Sequence, residues 1–378
     1  MAHVQVSPTG AAKDHRARLV TGSQLPGHLE KSGWLVLFSV HTEKPMRIST
    51  YITCVFLAGI LGPAYSQEGV ITPRESRSQQ ISQAYGFMVS QNQLLSLVAA
   101  EYPSLASEVG AAMFAFETSA LGKGAAELEG ALKAEAGNEW PGLKSAIETG
   151  AEENTKQLRL TNETSKEYLA EVKLRARGDL PESVRNILLA LNPAYVISPG
   201  AELAEGWRQT YSTKAHPKSE GAEITLALPL SWSKREGNQA GIVQVFRSGA
   251  GHGPIMCNIF CKKVNNDSEG DATLQDMNGF FTNENLTMMA RSMGRMIDAR
   301  RITIAGAPGG VVVFDSKQEM LGMMTEARTT NFTIIHKKHL IQVNFVVAKQ
   351  FLNGVTFDDA NRAYYPTYLV IMSTLTRN

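Results

Sequence analysis

The spacing of apolar residues changes along this chain, and that change limits the folds open to it. Up to about residue 192 they recur every three or four positions, and from Ile224 onward every second position. A helical part therefore precedes a sheet-bearing part. In the first part, Ile81, Ala84, Tyr85, Met88, Leu95 and Val98 mark one helix face. Pro103 interrupts the run, and Leu105, Val109, Ala112, Met113 and Phe116 repeat it. Gly137, Pro141 and Gly150 bound further Ala- and Glu-rich helices between Gly122 and Lys156. Thr161 or Asn162 can cap a helix over Glu163 to Ala176, and Pro181 suits the first turn of a short one ending at Asn192-Pro193.

Tyr195 to Glu220 is rich in Pro, Gly, Ser and Lys and reads as a linker or domain edge. Strand patterns follow at Ile224–Leu228, Gly241–Phe246 and Ile255–Val264. After a helix over Asn283–Ile297 come strands at 301–304, 310–314, 320–327, 332–335 and 340–347, the last two joined by a turn at 336–339. Asp358-Asp359 is expected to cap a closing helix whose main body follows Pro366. The short strand connections favour antiparallel pairing. The class is α+β: a helical bundle over 67–192, then a mainly antiparallel sheet domain flanked by helices over 193–378.

A different pattern opens at Met46, where Arg47, an apolar stretch from Tyr51 to Leu61, Gly62-Pro63 and Ala64-Tyr65-Ser66 have the order of a bacterial signal peptide. Cleavage is expected between Ser66 and Gln67. Residues 1–45 are read as a mis-assigned or disordered leader and 46–66 as the signal peptide. Cys54 lacks the small-residue context of an acylated lipoprotein cysteine. The expected location is periplasmic or extracellular, with no stable membrane span after cleavage. Removing the six basic and three acidic residues of 1–66 from totals of 37 and 36 leaves 31 and 33, a formal charge of −2. Such a balance lacks the basic stripe that nucleic acid requires.

Two cysteines, Cys257 and Cys261, remain beyond the cleavage point. Four residues along a strand span about 13 Å, whereas a disulfide needs Cα atoms within about 7 Å. The reading adopted is two small buried side chains on one strand face, with a disulfide across a bulge as the alternative. No second Cys or His pair stands at zinc-ligand spacing, and no metal or cofactor is expected. His336 and His339 flank Lys337 and Lys338, whose charges oppose a bound cation. The acidic loop Asn265–Asp271 departs from calcium-loop spacing, and with Asp276 it reads as solvated. The four Asn-x-Ser/Thr triplets, at Asn162, Asn266, Asn285 and Asn331, read as chance.

Gly249-Ala-Gly-His-Gly253 follows a strand as a phosphate loop would, but a strand rather than a helix comes next, so it reads as a hairpin turn. Gly306-Ala-Pro-Gly-Gly310 reads the same way. No His-Glu-x-x-His, Gly-x-Ser-x-Gly or P-loop sequence is present, and no catalytic residue is assigned.

Pro193–Glu202, the strand Ile224–Trp232 ending in Pro229-x-x-Trp232, Gly241–Phe246, a glycine hairpin, a helix, the Ile304–Phe314 hairpin, a meander and a terminal helix together carry a resemblance. Over roughly residues 193–378 the chain resembles secreted proteins of the PsbP-like fold, an α/β sandwich shared by the photosystem II extrinsic protein and a Ran-binding nuclear import factor. The resemblance implies a non-enzymatic role in binding or assembly and carries over no binding residue. Two functions are therefore expected to compete. One is an exported binding or envelope-accessory protein, engaging an unknown protein or envelope component through its helical half. The other is an extracytoplasmic hydrolase with His252 as base, which requires a cleft joining His252 to a Ser, Asp or Glu of another segment and a shifted pKa.

Overall fold

The computed structural model describes residues 76–156, 158, 160–264, 270–320 and 323–378. The leader, the signal segment, the Ser66–Gln67 junction and residues 265–269 of the acidic loop lie outside the described residues.

Helix α1 (Arg77–Glu101) begins where the Ser76 side chain accepts from the Gln79 N–H, and it buries Ile81, Ala84, Tyr85, Met88, Leu95 and Val98, the stripe read from the sequence. Helices α4 (Leu128–Ala136), α5 (Trp140–Lys156) and α7 (Glu182–Leu191) pack along it. Helix α2 (Ala106–Glu117) lies on α6 (Asn162–Arg175), which opens on a capping box made by Thr161 and Thr164. Between them, α3 (Ala120–Ala125) presses into α7, and a Cβ at Gly124 would lie 1.8 Å from the Leu188 carbonyl oxygen.

The stretch read as a linker or domain edge, with the two residues before it, holds two helices and a strand: α8 (Pro193–Ile197), α9 (Pro199–Ala204) and β1 (Arg208–Ser212). Its prolines start helices rather than break them, because the amide each lacks is one the first helical turn leaves unpaired. The Asn192 side chain completes the first start by accepting from the Ala194 N–H at 2.9 Å.

The strands form two antiparallel sheets. In the smaller, β2 (Ile224–Pro229) lies between β1 and β10 (Thr376–Arg377). The larger contains β3 (Ser233–Glu236), β4 (Ile242–Arg247), β5 (Ile255–Lys263), β6 (Arg295–Ile304), β7 (Ala307–Met320), β8 (Met323–His336) and β9 (His339–Ala348), in the order β3-β4-β5-β9-β8-β7-β6. On one face Cys257, Ile259, Phe332, Val343 and Phe345 pack on α12 (Phe357–Ser373) and β2. Phe345 and Tyr368 stack there at 4.2 Å and 10°. On the other face α10 (Leu274–Phe280) and α11 (Asn283–Met293) set Phe281, Leu286 and Met289 against Val312 and Phe314. Arg328, 5% exposed, donates to both Asp315 oxygens at 2.7 and 3.0 Å and also to Asp358, tying β7 and β8 to the start of α12.

Several boundaries differ from the expectations. The helix read to Ile297 stops at Met293, and β6 begins at Arg295. Thr356, not Asp358 or Asp359, caps α12; both acids sit in its first turn, where they complement the helix dipole. Pro366 lies inside α12, which the buried Ala360, Thr367, Tyr368 and Ile371 hold against the sheet on both sides of the proline. At the β6–β7 turn, Ala305 and Gly306 take the positive φ, while Gly309 and Gly310 lie within β7.

Gly124→Ala is expected to destabilise the chain by about 1–3 kcal/mol, since a backbone carbonyl cannot move aside as a side chain can. A lowered urea midpoint at unchanged slope would report it.

Candidate functional site

Where α7, α8 and α9 meet the β4–β5 end of the large sheet, the packing leaves a cavity of about 460 Å³. Its buried wall includes Ile187, Leu189, Glu202, Ser231, Trp232 and Ile255. Phe351, Leu352 and Asn353 close it from the turn after β9, and Tyr364 closes it from α12.

One carboxylate organises this wall. Glu202 of α9 is 2% exposed, and its two oxygens accept from the Ser231 N–H at 2.6 Å and the Ser231 hydroxyl at 2.7 Å. The Ser231 carbonyl in turn accepts from the Ala250 N–H at 3.0 Å. A helix, the β2–β3 turn and the β4–β5 turn are thereby linked in series. Burial pushes the Glu202 carboxyl up to about 7, against the opposing pull of its hydrogen bonds from Ser231 and Leu230. Beside it, the Tyr195 hydroxyl donates to Glu205 at 2.6 Å, and burial followed by that carboxylate holds the phenol well above its ordinary range.

The loop Gly249–Gly253 is the β4–β5 hairpin turn. Gly249, Ala250 and Gly251 have φ of 58°, 52° and 95°. Its amides are engaged locally: Ala250 donates to Ser231, Gly251 and Gly253 to the Ser248 carbonyl, and His252 to the Gly249 carbonyl. The Ser248 hydroxyl oxygen accepts from the Ile255 N–H at 3.0 Å. A phosphate cradle or oxyanion hole needs such amides pointed at a ligand; those of residues 250–253 close the turn instead.

His252 lines this cavity together with Glu202, Ser231 and Ser248. The expected histidine thus shares a cavity with Glu202 and Ser231 of other segments and with Ser248 of its own turn, and the Glu202 carboxyl is shifted. Glu202 and Ser231 were not singled out in the sequence. The available signal was the lone acid in the otherwise apolar Pro199–Ala204, whose spacing with Leu203 faces the core.

The other described histidines are dispersed. His216 Nδ1 accepts from the Lys218 N–H at 3.2 Å, His336 meets the Asn378 oxygen at 3.1 Å, and His339 meets the Glu220 oxygen at 2.9 Å. Asp276 completes the α10 capping box with Thr273. Among the described residues no group of three or more His, Cys, Asp or Glu could hold a metal ion. None of their helices is long and apolar enough to cross a membrane. Cys257 and Cys261 are free and buried, opposite Phe345 and Ile341 in continuous register with β9. Burial raises both thiols, Cys261 to about 12.

No protein-family model matches the chain, and no curated protein matches it significantly. Among solved structures, it is similar to the cyanobacterial PsbP of Synechocystis sp. at 12% identity and TM-score 0.29, over 45% of this chain and 92% of that one. A Mycobacterium tuberculosis protein, LpqN, involved in cell envelope biogenesis, matches at 11% and 0.28, over 47% and 96%. A structure from Bacteroides thetaiotaomicron matches at 14% and 0.26, over 41% of this chain and 45% of that chain's length. The likeness is a weak PsbP-like fold match over about 45% of an α+β chain.

The folded state holds the Glu202 proton up to about pH 7, whereas the unfolded carboxyl releases it near its ordinary 4.5. Its stabilising effect is full below the lower value and is lost as pH rises through the upper one, a difference of about 3 kcal/mol. Between about pH 5 and 8 the wild-type Tm should therefore fall more steeply than that of Glu202→Gln, measured by calorimetry. Cys257 and Cys261 should resist alkylation until the chain unfolds, as peptide mapping by mass spectrometry would show.

Proposed function

We propose that this chain is an exported, non-catalytic binding or envelope-accessory protein, periplasmic or extracellular, whose ligand occupies the cavity between α7–α9 and the β4–β5 end of the sheet. The observation that carries this reading is a cavity of about 460 Å³, within the range of small-molecule sites, whose wall groups are already hydrogen-bonded to one another. Groups so engaged hold a shape, and the shape is what a ligand would recognise. The signal-peptide pattern at 46–66 supports export. In this reading the partner is an envelope component or protein that presents the ligand, and residues 193–378 act as scaffold for the helical part.

The second reading, a hydrolase using His252, is favoured by His252, Ser231, Ser248 and Glu202 sharing one wall. Against it, Ser231 is 2% exposed and directs its hydroxyl hydrogen to Glu202 rather than to a histidine.

Host protein recovered by fractionation should begin at Gln67 outside the cytoplasm and carry a bound small molecule in native mass spectrometry. Ala190→Phe, which fills the cavity from α7, should remove that molecule. A cytoplasmic chain beginning at Met1 would reject export, and an adduct unaffected by Ala190→Phe would reject the cavity as its site. Turnover of chromogenic esters or amides, abolished by both Ser231→Ala and His252→Ala, would replace the binding reading with the hydrolase.

A further inference from the structure

We infer that the cavity holds one aliphatic chain of an amphiphile, with the polar head left at the mouth; this rests on the reading of the cavity as the binding site. Much of its buried lining is apolar, formed by Ile187, Leu189, Trp232, Ile255 and Leu352, beside the buried Glu202, Ser231 and Ser248. Several polar atoms that reach the same wall already have partners within the protein. Both Glu202 oxygens accept from Ser231, the Ser248 oxygen accepts from the Ile255 N–H, and the Tyr195 hydroxyl donates to Glu205. A polar ligand placed against them would compete with these bonds for its partners, which offsets what it loses in leaving water only in part. An aliphatic chain asks for no hydrogen bond and gains by leaving water.

The mouth points to the same class of ligand. Val196 and Val355, which line the cavity, are 59% and 50% exposed, and the neighbouring Ile197 is 76% exposed. Exposed apolar side chains gathered where a cavity meets solvent mark a place where apolar matter enters. Arg77 and Asn353, also lining residues and exposed, stand where a polar head would remain; the Arg77 guanidinium already donates to Glu135 at 2.7 Å, so a head there meets an ion pair rather than a free cation.

Titration calorimetry of the full-length protein with straight-chain alkanoates, from butanoate to palmitate and each below its micelle concentration, tests this. The dissociation constant should fall about fourfold per added methylene until the chain fills the cavity. Ala190→Phe should abolish this binding. Val355→Asp, at an exposed position where folding is not at stake, should weaken it about tenfold or more by placing a charge at the mouth. Sedimentation with phosphatidylglycerol vesicles identifies the source. Binding to both vesicles and alkanoates supports a membrane lipid chain, and binding to alkanoates alone supports a free fatty acid. Affinity that does not change with chain length, together with a non-aliphatic host adduct lost in Ala190→Phe, would overturn the aliphatic ligand and leave the binding reading standing. No alkanoate binding and no host adduct would overturn both.

Discussion

The central strand of the large sheet sets the terms for everything packed around it. Nine successive residues of β9, His339 to Val347, are buried, so both faces of the sheet must be covered. One face receives Tyr368, Ile371 and Met372 of α12 together with Leu226 and Leu228 of β2. The far strands of the other face receive α10 and α11. Between them, Asn258, Asn344 and Asn331 lie directly opposite one another across β5, β9 and β8, all buried. Asn331 donates to Asn344, the Thr333 hydroxyl donates to Asn331, and Gln342 donates to Thr333 at 3.3 Å. This row also fixes register. A slip of one residue along β9 would turn Phe345 away from Tyr368 and Asn344 into the apolar layer, leaving amides without partners.

The helical part joins this frame through α7 to α9. Helix α8 has five residues and α9 has six, and each starts at a proline, so the chain changes direction twice within a dozen residues. Helices that short cannot lay a continuous apolar stripe on a sheet. What holds the junction is instead a hydrogen-bonded series, from Glu202 through Ser231 to Ala250, that brings three segments to fixed distances. Polar links fix spacing without filling it, and the cavity is the volume left between them.

The class, the helical stripe and most buried strands were legible because they rest on periodicity, which burial imposes directly; from Met323 on, the strands read at 320–327 and 332–335 are instead one, β8, and the short β1 and β3 were not read. The stripe of α1 and the alternation in β2 needed no tertiary knowledge. Residues 195–220, read as a linker or domain edge, hold α9 and β1, and the composition alone did not show this because proline signals both a break and a helix start. The closing helix was misplaced for a similar reason: Thr356 and the two acids after it all suit an N-terminus, and the choice depends on which oxygen reaches the Asp359 N–H. Of the site, His252 was visible as a residue type in a glycine turn. Glu202 and Ser231 were not, since they lie 29 residues apart and meet only after β1 and β2 pair. No local pattern encodes such a contact.

Proton traffic separates the two functional readings more sharply than residue types do. A serine nucleophile must surrender its proton to a base while its oxygen faces the substrate. The hydrogen of Ser231 points to a carboxylate held in place by the Ser231 amide, and its oxygen is buried behind that pair. The oxygen of Ser248 already accepts a strand amide. Stabilising a developing oxyanion would require N–H groups directed into the cavity, and those of residues 250–253 are directed into their own turn or at Ser231. Each of these bonds lowers the reactivity of the atom that makes it while stiffening the wall. A wall stiffened in this way favours selection of a ligand by shape and apolar fit over chemical attack on it, and for that reason the same residues that make His252 look catalytic support binding.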